Sequence, residues 1–505
     1  MKDNHKKTDL ISESDYQICL HVLDRLIEDP DSIDMNRNRH QVFERARSFY
    51  KTIKKHRRKN KRVDQGSLYK SQSVDSISLP TSNQFPKSHL SDADLINGAD
   101  TLQVKTSYTH CYCCNQMISK PHQMYASMCE GCGDYNQTKR HATIDLNGRI
   151  AIVTGGRVKL GFSVAQRLLR CGAQVIITTR FPHDAATRFA ACPDFNTWHH
   201  KLRIYPLDLR SINQIQAFTE WVSQHYSYLD ILINNAAQTI RRPPSFYEHL
   251  MELEQTPIHQ LSPKLQSLII AQPFVSLDSS HNMDLLENEH QCIDLARAPT
   301  SLTEKLSPAE LSQKSMPGDH TQNERHMFPY GQLDADGQQL DLRSHNSWLM
   351  RLQDVPLFEL VEVQMINSMA PFILLQSLGP LLEHEIHPHR FVINVTAKEG
   401  HFKSGRSKSA RHPHTNMSKA ALNMLTHTVS GEYKARGIFI NNVDPGWVSL
   451  EFPYPFQQKY HQSNFHLPLD YIDGAARICD PIFEGIKTGN PRHGKIFKNY
   501  KVSSW

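Results

Sequence analysis

Two pairs of cysteines have the spacing of metal ligands. In the segment HCYCCNQMISKPHQMYASMCEGCGDY, two residues separate Cys111 from Cys114, and two separate Cys129 from Cys132. Two CxxC pairs joined by a loop present four thiolates tetrahedrally to Zn²⁺, and the glycines beside Cys132 allow a tight second turn. This pattern predicts a zinc site.

Further residues of the same segment are alternative ligands: Cys113, His110 and His122. Cys113 could also replace Cys111 in the ligand set. Four protein ligands leave no open coordination position, so we expect a structural zinc and not a catalytic one. The alternative is a chance grouping of buried or redox-active cysteines.

A glycine-rich turn, TGGRVKLG, spans Thr154 to Gly161. It follows the apolar run RIAIV and precedes the helix-like stretch FSVAQRLLRCGA. In such a strand, turn and helix, the backbone N–H groups and the positive helix end face a pyrophosphate. Lys159 occupies the place expected for the second of three glycines. Its ammonium either contacts the phosphate or excludes a nucleotide from its usual position.

The elements that would position this turn alternate between strand and helix from Leu146 onward. The strand patterns are AQVIITTR, LRIYPLDLR, LDILINNAAQT, HRFVINVTAKEG and GIFINNVDPGWVS, and the helical ones include QMINSMAPFILLQSL and HTNMSKAALNML. Such alternation predicts an α/β fold with a doubly wound parallel sheet of the Rossmann type.

Four regions follow from the composition along the chain. We expect a helical segment with a basic end at 1–62, a flexible linker at 63–104, a cysteine-rich zinc-binding module at 105–140, and the Rossmann-type domain at 141–505. An insertion at about 239–354 interrupts this domain, and its polar stretch at about 277–345 is predicted to be partly disordered.

The charge and hydropathy of the chain exclude several classes of protein. The net charge of +6 over 505 residues is small, and much of it lies in the run KTIKKHRRKNKR at 51–62. This run is better explained as a solvated helix end than as a nucleic-acid or lipid site. The apolar runs are too short for a membrane span, and the N-terminus has no apolar signal core. We therefore expect a cytoplasmic protein, and a homo-oligomer is compatible with the sequence.

Together, the glycine turn, the NNAA strand end, a helix asparagine, a lysine and the NNVDPG turn resemble the short-chain dehydrogenase/reductase family over about 146–238 and 354–450. The resemblance implies hydride transfer between a nicotinamide cofactor and a small carbonyl or alcohol substrate. Carried over by motif, the implied cofactor-binding residues are Thr154, Gly155, Arg157, Lys159, Gly161, Arg180, Asp208, Asn234, Asn235, Ala236, Ala237, Lys419, Pro445 and Gly446.

The end of the second strand favours one form of the cofactor. Members of the family that prefer NAD(H) usually carry an acid there to bind the ribose hydroxyls, but this chain has Arg180. A cation suits a 2′-phosphate, and Arg157 and Lys159 add positive charge beside the phosphates. The resemblance thus implies NADP(H), with NAD(H) as the alternative. A merely solvated arginine is the competing interpretation of Arg180.

The implied active centre departs from the family pattern of Asn, Ser, Tyr and Lys. Asn367 and Lys419 match, but Ala397 stands at the serine position with Thr396 before it, and Thr415 stands at the tyrosine position. An aliphatic hydroxyl has too high a pKa to exchange protons near neutrality, whereas a phenol beside a lysine can do so.

A histidine of the segment RHPHTNMSK, either His412 or His414, could supply the missing acid. The leading hypothesis is an NADP(H)-dependent oxidoreductase with an atypical centre at Asn367, Thr396, His414, Thr415 and Lys419. The alternative is a catalytically silent NADP(H)-binding sensor or scaffold. A nucleic-acid-associated protein that uses the basic run and the cysteine module is a weaker third hypothesis.

Overall fold

The structure is a computed structural model that describes His21 and residues 109–271, 307–314, 325–402, 409–462 and 465–505. Except for His21, the expected N-terminal helices and linker lie outside the described residues, as does much of the polar stretch of the insertion. The chain divides into two compact units, Met1–Pro86 and Lys87–Trp505, and all features below belong to the second.

An eight-stranded sheet in the order β3-β2-β1-β4-β5-β6-β7-β8 forms the centre of this unit. The strands are β1 Ile150–Thr154, β2 Gln174–Thr179, β3 Leu202–Pro206, β4 Ile231–Asn234, β5 Arg390–Val395, β6 Ile438–Asp444, β7 Ile496–Lys498 and β8 Lys501–Ser503. Neighbouring strands are parallel except for the final pair, β7 and β8. The predicted Rossmann-type sheet is therefore confirmed.

Helices cover both faces of the sheet. Their bounds are α1 Glu130–Arg140, α2 Lys159–Arg170, α3 Pro182–Ala190, α4 Phe195–Trp198, α5 Ile212–His225, α6 Pro244–Glu254, α7 Pro263–Gln266, α8 Pro308–Ser312, α9 Leu357–Gln364, α10 Ala370–Leu382, α11 Pro413–Ala435, α12 Tyr454–Gln462 and α13 Tyr471–Thr488. Short 3₁₀ turns are His199–Lys201, Ile258–Gln260, Arg325–Met327, Leu352–Asp354 and Lys398–Gly400.

The period of two along each strand divides the apolar side chains between two cores. Val153 of β1 and Ile177 of β2 face the core under α2, α3 and α13. Ile152 and Ile176, one residue earlier on the same strands, face the core under α5 and α10. Because both faces are covered, β1, β5 and β6 are buried along their whole length.

Several described parts of the insertion pack at the β2 and β3 side of the sheet. Phe246, Tyr247 and Leu250 of α6 form an apolar cluster with Phe181, which follows β2. Ile269 makes a parallel bridge to Ile204 of β3. Two of the helices in the insertion are α6 and α7.

A continuous apolar helix runs from α9 into α10 through a π-helical segment, Met365–Met369. By length and composition, Leu357–Leu382 is the one described helix that could cross a membrane, with a mean hydropathy of 1.3 over its most apolar window. Half of that window is buried inside the unit, as is ordinary for a core helix of a globular domain. Asn367, whose contacts are described below, lies in this π segment.

Candidate functional site

A cavity of about 1000 Å³ lies along the carboxyl ends of the parallel strands. Ligands of doubly wound sheets bind at this edge because the loops there diverge to opposite faces. Most of the residues implied by the family resemblance line it: Gly155, Arg157, Lys159, Gly161, Arg180, Asp208, Asn235, Ala236, Thr396, Thr415, Lys419, Pro445 and Gly446. Thr154, Asn367 and His414 do not line it.

The turn after β1 keeps the backbone of a glycine-rich turn. Gly155 has φ +68°, and a Cβ there would approach Ala236 to 3.0 Å. At Gly161, a Cβ would lie 2.1 Å from the carbonyl oxygen of Gly155, so a side chain is excluded. Lys159 has φ +55°, in the left-handed region that favours glycine. The local backbone thus retains the glycine conformation although the residue is lysine.

Thr154 and Asn235 hold the turn against the end of β4. Thr154 Oγ1 accepts hydrogen bonds from the backbone N–H groups of Asn235 and Ala236 at 3.1 and 3.0 Å. Asn235 Nδ2 donates to the carbonyl oxygen of Thr154 at 3.0 Å. Asn235 and Ala236 therefore line the cavity, and Thr154 holds them in place from behind the lining.

Arg180 lies at the β2 end of the cavity beside two residues of the insertion, Tyr247 and Arg242. Its Nη2 donates to Tyr247 Oη at 2.8 Å, and its guanidinium lies 4.8 Å from the centre of that ring. Burial would raise the pKa of Tyr247, but Arg180 and Arg242 lower it below the ordinary value, as expected in a positive potential. This end of the cavity is basic.

The two cations of the turn are already paired with acids. Arg157 Nη1 lies 2.6 Å from Asp184, and Arg157 Nη2 donates to Gln338 at 2.7 Å. Lys159 Nζ lies 4.0 Å from Asp336 of the insertion. The positive charge that the sequence assigns to these residues is therefore partly neutralised by the fold.

Asp208 is buried and held by Arg210, whose Nη2 donates to Asp208 Oδ2 at 2.7 Å. Burial would raise the pKa of Asp208, but Arg210 holds it below its usual range. Arg210 also pairs with Glu362 of α9 at 3.0 Å. Asp208 lines the cavity with a side chain that is already fixed in place.

Lys419 and Thr396 lie at the other end of the cavity. Lys419 Nζ donates to the carbonyl oxygen of Val395 at 2.8 Å, and Thr396 Oγ1 donates to Asn423 Oδ1 at 2.6 Å. Burial lowers the pKa of Lys419 to about 8, against a smaller opposing effect of Glu399. Lys419 is therefore an ionisable group near neutrality in this part of the cavity.

Asn367 links three elements behind the cavity. Its Oδ1 accepts from the backbone N–H of Gln238 at 2.7 Å, and its Nδ2 donates to Ser418 Oγ at 3.0 Å. Ser418 is the neighbour of Lys419 on α11. Asn367 therefore sets the position of α11 relative to the end of β4 and is a positioning residue.

The two residues that depart from the family pattern both face the cavity. The side chain of Ala397 offers no polar atom, and Thr415 Oγ1 is buried without a hydrogen-bond partner among the described residues. Thr415 begins the helical turn that ends at Lys419 on α11, so both lie on one helix face. Relative to the family pattern, the site keeps the lysine and lacks the phenol.

Neither histidine of the segment before Lys419 lines the cavity. His414 is buried, and its Nε2 lies 3.4 Å from Oε1 of Glu359 on α9. His412 has φ +42° and stacks on Trp348, with ring centres 4.0 Å apart. The sequence analysis suggested His414 as the acid. In the structure, its side chain packs against α9 and does not line the cavity.

The four predicted zinc ligands come together. Metal-binding atoms of Cys111, Cys114, Cys129 and Cys132 all lie within 4.8 Å of one another. Cys113 lies outside this set; its Sγ lies 3.6 Å from Asn136 Nδ2. The other alternative ligands, His110 and His122, are also outside it, and His122 Nε2 lies 3.3 Å from Asp134.

Among the cavity residues that the sequence analysis missed are Arg242, Tyr247 and Tyr112. The first two belong to the insertion, which has no counterpart in the family pattern, and the third lies between two cysteines. Residue spacing in the sequence could not identify them, because their approach to the cavity depends on how separate segments pack.

Comparisons with known proteins give matches over part of the chain. The sequence model described as short chain dehydrogenase matches residues 149–258. Uncharacterized protein R665 of Acanthamoeba polyphaga mimivirus is 30% identical over 392 residues, which is 75% of this chain and 72% of the relative.

Two enzymes match shorter segments. The rhamnolipids biosynthesis 3-oxoacyl-[acyl-carrier-protein] reductase of Pseudomonas aeruginosa is 34% identical over 26% of this chain and 51% of its own length. Carbonyl reductase [NADPH] 1 of Sus scrofa is 34% identical over 18% of this chain and 31% of its own length. The chain therefore spans about half or less of each enzyme.

Solved structures give weaker likenesses. The Pseudomonas aeruginosa RhlG/NADP active-site complex is 19% identical, with a TM-score of 0.39 over 70% of this chain and 95% of that one. The NADPH-bound carbonyl reductase from chicken fatty liver is 18% identical, with a TM-score of 0.39 over 71% and 100%. The fold assignment rests on the sheet order itself.

Proposed function

Because the sheet domain of this chain belongs to the short-chain dehydrogenase/reductase family, we propose that it is an NADP(H)-dependent oxidoreductase with an atypical active centre. Its substrates are small carbonyl compounds or alcohols. The observation that carries the proposal is one cavity with Arg180 at its basic end and Lys419 at the other. The activities named for the two reductase relatives support the same class of reaction.

The basic end of the cavity fits a nucleotide with an additional phosphate. Arg180 and Arg242 line it, whereas an NAD-selective site carries an acid after β2 to bind the ribose hydroxyls. Arg242 lies 3.9 Å from Asp341, so its charge is partly balanced. Arg180 donates to the Tyr247 hydroxyl, lies over the rings of Phe181 and Tyr247, and helps to lower the pKa of Asp208. We assign the NADP(H) preference to Arg180 because of its place at the end of β2.

The turn of Gly155 and Gly161 would hold the phosphates, since its backbone lies at the amino end of α2. When bound, the cofactor supplies or accepts the hydride. Because the Lys159 side chain lies near Asp336, we assign the phosphate contacts to the backbone N–H groups of the turn.

Lys419 is the residue of this chain suited to exchange a proton with the substrate oxygen. Its pKa of about 8 lets the ammonium donate in carbonyl reduction and the amine accept in alcohol oxidation. Thr396 and the buried hydroxyl of Thr415 border the same part of the cavity. His414 is left with a packing role against Glu359.

The alternative function, a silent NADP(H) sensor or scaffold, also has support in the site. The serine and tyrosine hydroxyl groups that the family uses on its substrate are absent, because Ala397 and Thr415 stand at those positions. Retained cofactor contacts would suffice for sensing. Binding without turnover would select this alternative.

The cysteine cluster supports a second ligand, a structural zinc ion. The four thiols converge and alternative ligands lie outside, so a tetrahedral site closed to substrate is the chemistry that fits. The site is part of the same compact unit as the sheet.

Two further expectations remain predictions: a cytoplasmic location and a homo-oligomer. For the latter, α9, α10 and α11 expose large apolar side chains: Leu357, Val361, Phe372, Met417 and Met424. Light scattering of the purified chain would give its mass directly.

The deciding experiment measures binding and turnover on the same full-length preparation. NADPH and NADH are titrated by fluorescence, and a panel of aldehydes and ketones is assayed for NADPH oxidation. We expect tighter NADPH binding and turnover that is lost in Lys419→Ala. Failure to bind either nucleotide would remove the oxidoreductase proposal, and turnover that survives Lys419→Ala would move the chemistry elsewhere.

A further inference from the structure

We infer that the cysteine module contributes Tyr112 to the lining of the cofactor cavity, as a positioning residue whose place depends on the metal held by the four thiols. The inference deepens the proposed function, since it concerns the same cavity. It assigns to the zinc site control over NADP(H) binding.

Tyr112 contacts the turn that follows β6. Its Oη accepts a hydrogen bond from the backbone N–H of Trp447 at 2.8 Å. Gly446 has φ +89°, and a Cβ there would lie 2.9 Å from Tyr112 Oη and 2.5 Å from Leu469 Cδ1. The turn is therefore closely packed against the phenol, and Tyr112, Gly446 and Trp447 all line the cavity.

The loop that carries Tyr112 is built around the cysteines. Tyr112 directly follows Cys111, and its backbone N–H donates to the carbonyl oxygen of Ser127 at 2.8 Å. Cys111, Tyr125 and Met128 form an apolar cluster with Val448 and Leu469 of the core. The first cysteine pair is thus the link between the metal site and the phenol.

The second half of the module is attached to the core by polar contacts that need no metal. Arg140 of α1 pairs with Asp470 and Asp473 at 2.8 and 3.0 Å, and Lys139 pairs with Asp480 at 2.6 Å. Tyr125 Oη donates to Asp473 at 2.7 Å. Loss of the metal would therefore leave α1 docked on α13.

The loop from Cys111 to Cys114 carries no charged side chain that could make such ion pairs to the core. A metal would join it to Cys129 and Cys132, across a cluster in which the thiols already lie within 4.8 Å. Without that link, the loop keeps the Tyr112 backbone hydrogen bond to Ser127 and the apolar packing of Cys111, but it loses the tie between the two cysteine pairs. The Trp447 amide then loses its acceptor, and the wall of the cavity at Gly446 loosens.

The test uses the full-length protein, with zinc present, after chelation, and after zinc is restored. Hydrogen exchange of the peptide that contains Trp447 is measured in each state, together with the affinity for NADPH. We expect chelation to increase exchange at this peptide and to weaken NADPH binding, and zinc to reverse both. A peptide from β5 serves as the internal control.

Two variants distinguish the effect of the Tyr112 hydroxyl from a general loss of stability. Tyr112→Phe removes only the hydroxyl and should retain zinc, raise exchange at Trp447, and weaken NADPH roughly three- to tenfold, the effect of one hydrogen bond. Tyr135→Phe, on the same module but exposed, should change neither quantity. Chelation of Tyr112→Phe should add little beyond the substitution itself.

The outcomes distinguish this inference from the proposed function. If zinc removal and Tyr112→Phe leave exchange at Trp447 unchanged, the coupling is wrong, whatever the nucleotide affinity. If exchange responds but the zinc-loaded protein binds no NADPH, the module controls the turn and the oxidoreductase proposal fails. Unchanged NADPH affinity in both perturbed states would overturn the inferred control of binding.

Discussion

Arg180 Nη2 donates a 2.8 Å hydrogen bond to Tyr247 Oη, which joins the end of β2 to the first helix of the insertion. Through this contact, a segment without a counterpart in the family pattern completes the basic end of the cavity. Arg242 of the same segment adds a second cation there.

Replacement of Arg180 by Asp should therefore change the nucleotide preference. Loss of a charge-assisted contact to the 2′-phosphate is expected to weaken NADPH binding roughly tenfold to a hundredfold, with NADH affinity preserved or increased. Calorimetric titration of both nucleotides measures this, with the exposed Arg436→Gln as control. Equal affinities in the unmodified protein would contradict the assignment.

Lys159→Gly should stabilise the protein. Lys159 has φ +55°, and a left-handed conformation costs a non-glycine residue roughly 1–2 kcal/mol, offset in part by the greater freedom of glycine in the unfolded chain. We expect the free energy of unfolding to rise by up to about 1 kcal/mol. Lys159→Ala retains the strain and should bring no such gain in denaturant titrations.

The pH dependence of turnover should follow Lys419. Its pKa is lowered to about 8, so the protonated donor is lost as the pH rises through this value. Carbonyl reduction is thus expected to fall above pH 8, and alcohol oxidation to rise. Lys419→Arg stays protonated throughout and should abolish this transition. A profile that is flat near 8 in the unmodified protein, with constant NADPH affinity, would contradict the role of Lys419.

Thr415→Tyr should increase carbonyl reduction. Position 415 faces the cavity on the same helix face as Lys419, so the new phenol would lie within the electrostatic reach of the ammonium. Initial rates with the carbonyl panel measure the gain. Asn416→Tyr, one residue later on α11, is the matched control and should bring none.

His414→Ala should lower stability without abolishing turnover. His414 is buried against Glu359, whose Oε1 lies 3.4 Å from Nε2, and removal of the imidazole leaves the acid without this neighbour. We expect a loss of about 1–3 kcal/mol in the free energy of unfolding. Abolished turnover in a variant of unchanged stability would return His414 to the active centre.

Metal analysis of freshly purified protein should find about one zinc ion per chain, and Cys129→Ser should lose it. Cys171→Ser, outside the cluster, should retain the metal. The absence of zinc from the unmodified protein would refute the site.

Local sequence patterns determined the features that depend on neighbouring residues. The apolar strand runs and the turns between them predict the parallel sheet, because strand and helix periods are local properties. The glycine turn and the paired cysteines were likewise recognisable from spacing, and the structure brings the four thiols together as expected.

Packing between distant segments decided the rest. Lys419 faces the cavity and His414, five residues earlier, faces Glu359, since helix positions that far apart point in different directions and α9 covers one of them. Asp184 takes up the charge of Arg157, and Tyr247 and Tyr112 reach the cavity from the insertion and the cysteine module. The sequence determined which side chains were available, but contacts between segments far apart in the chain decided which of them meet in the site.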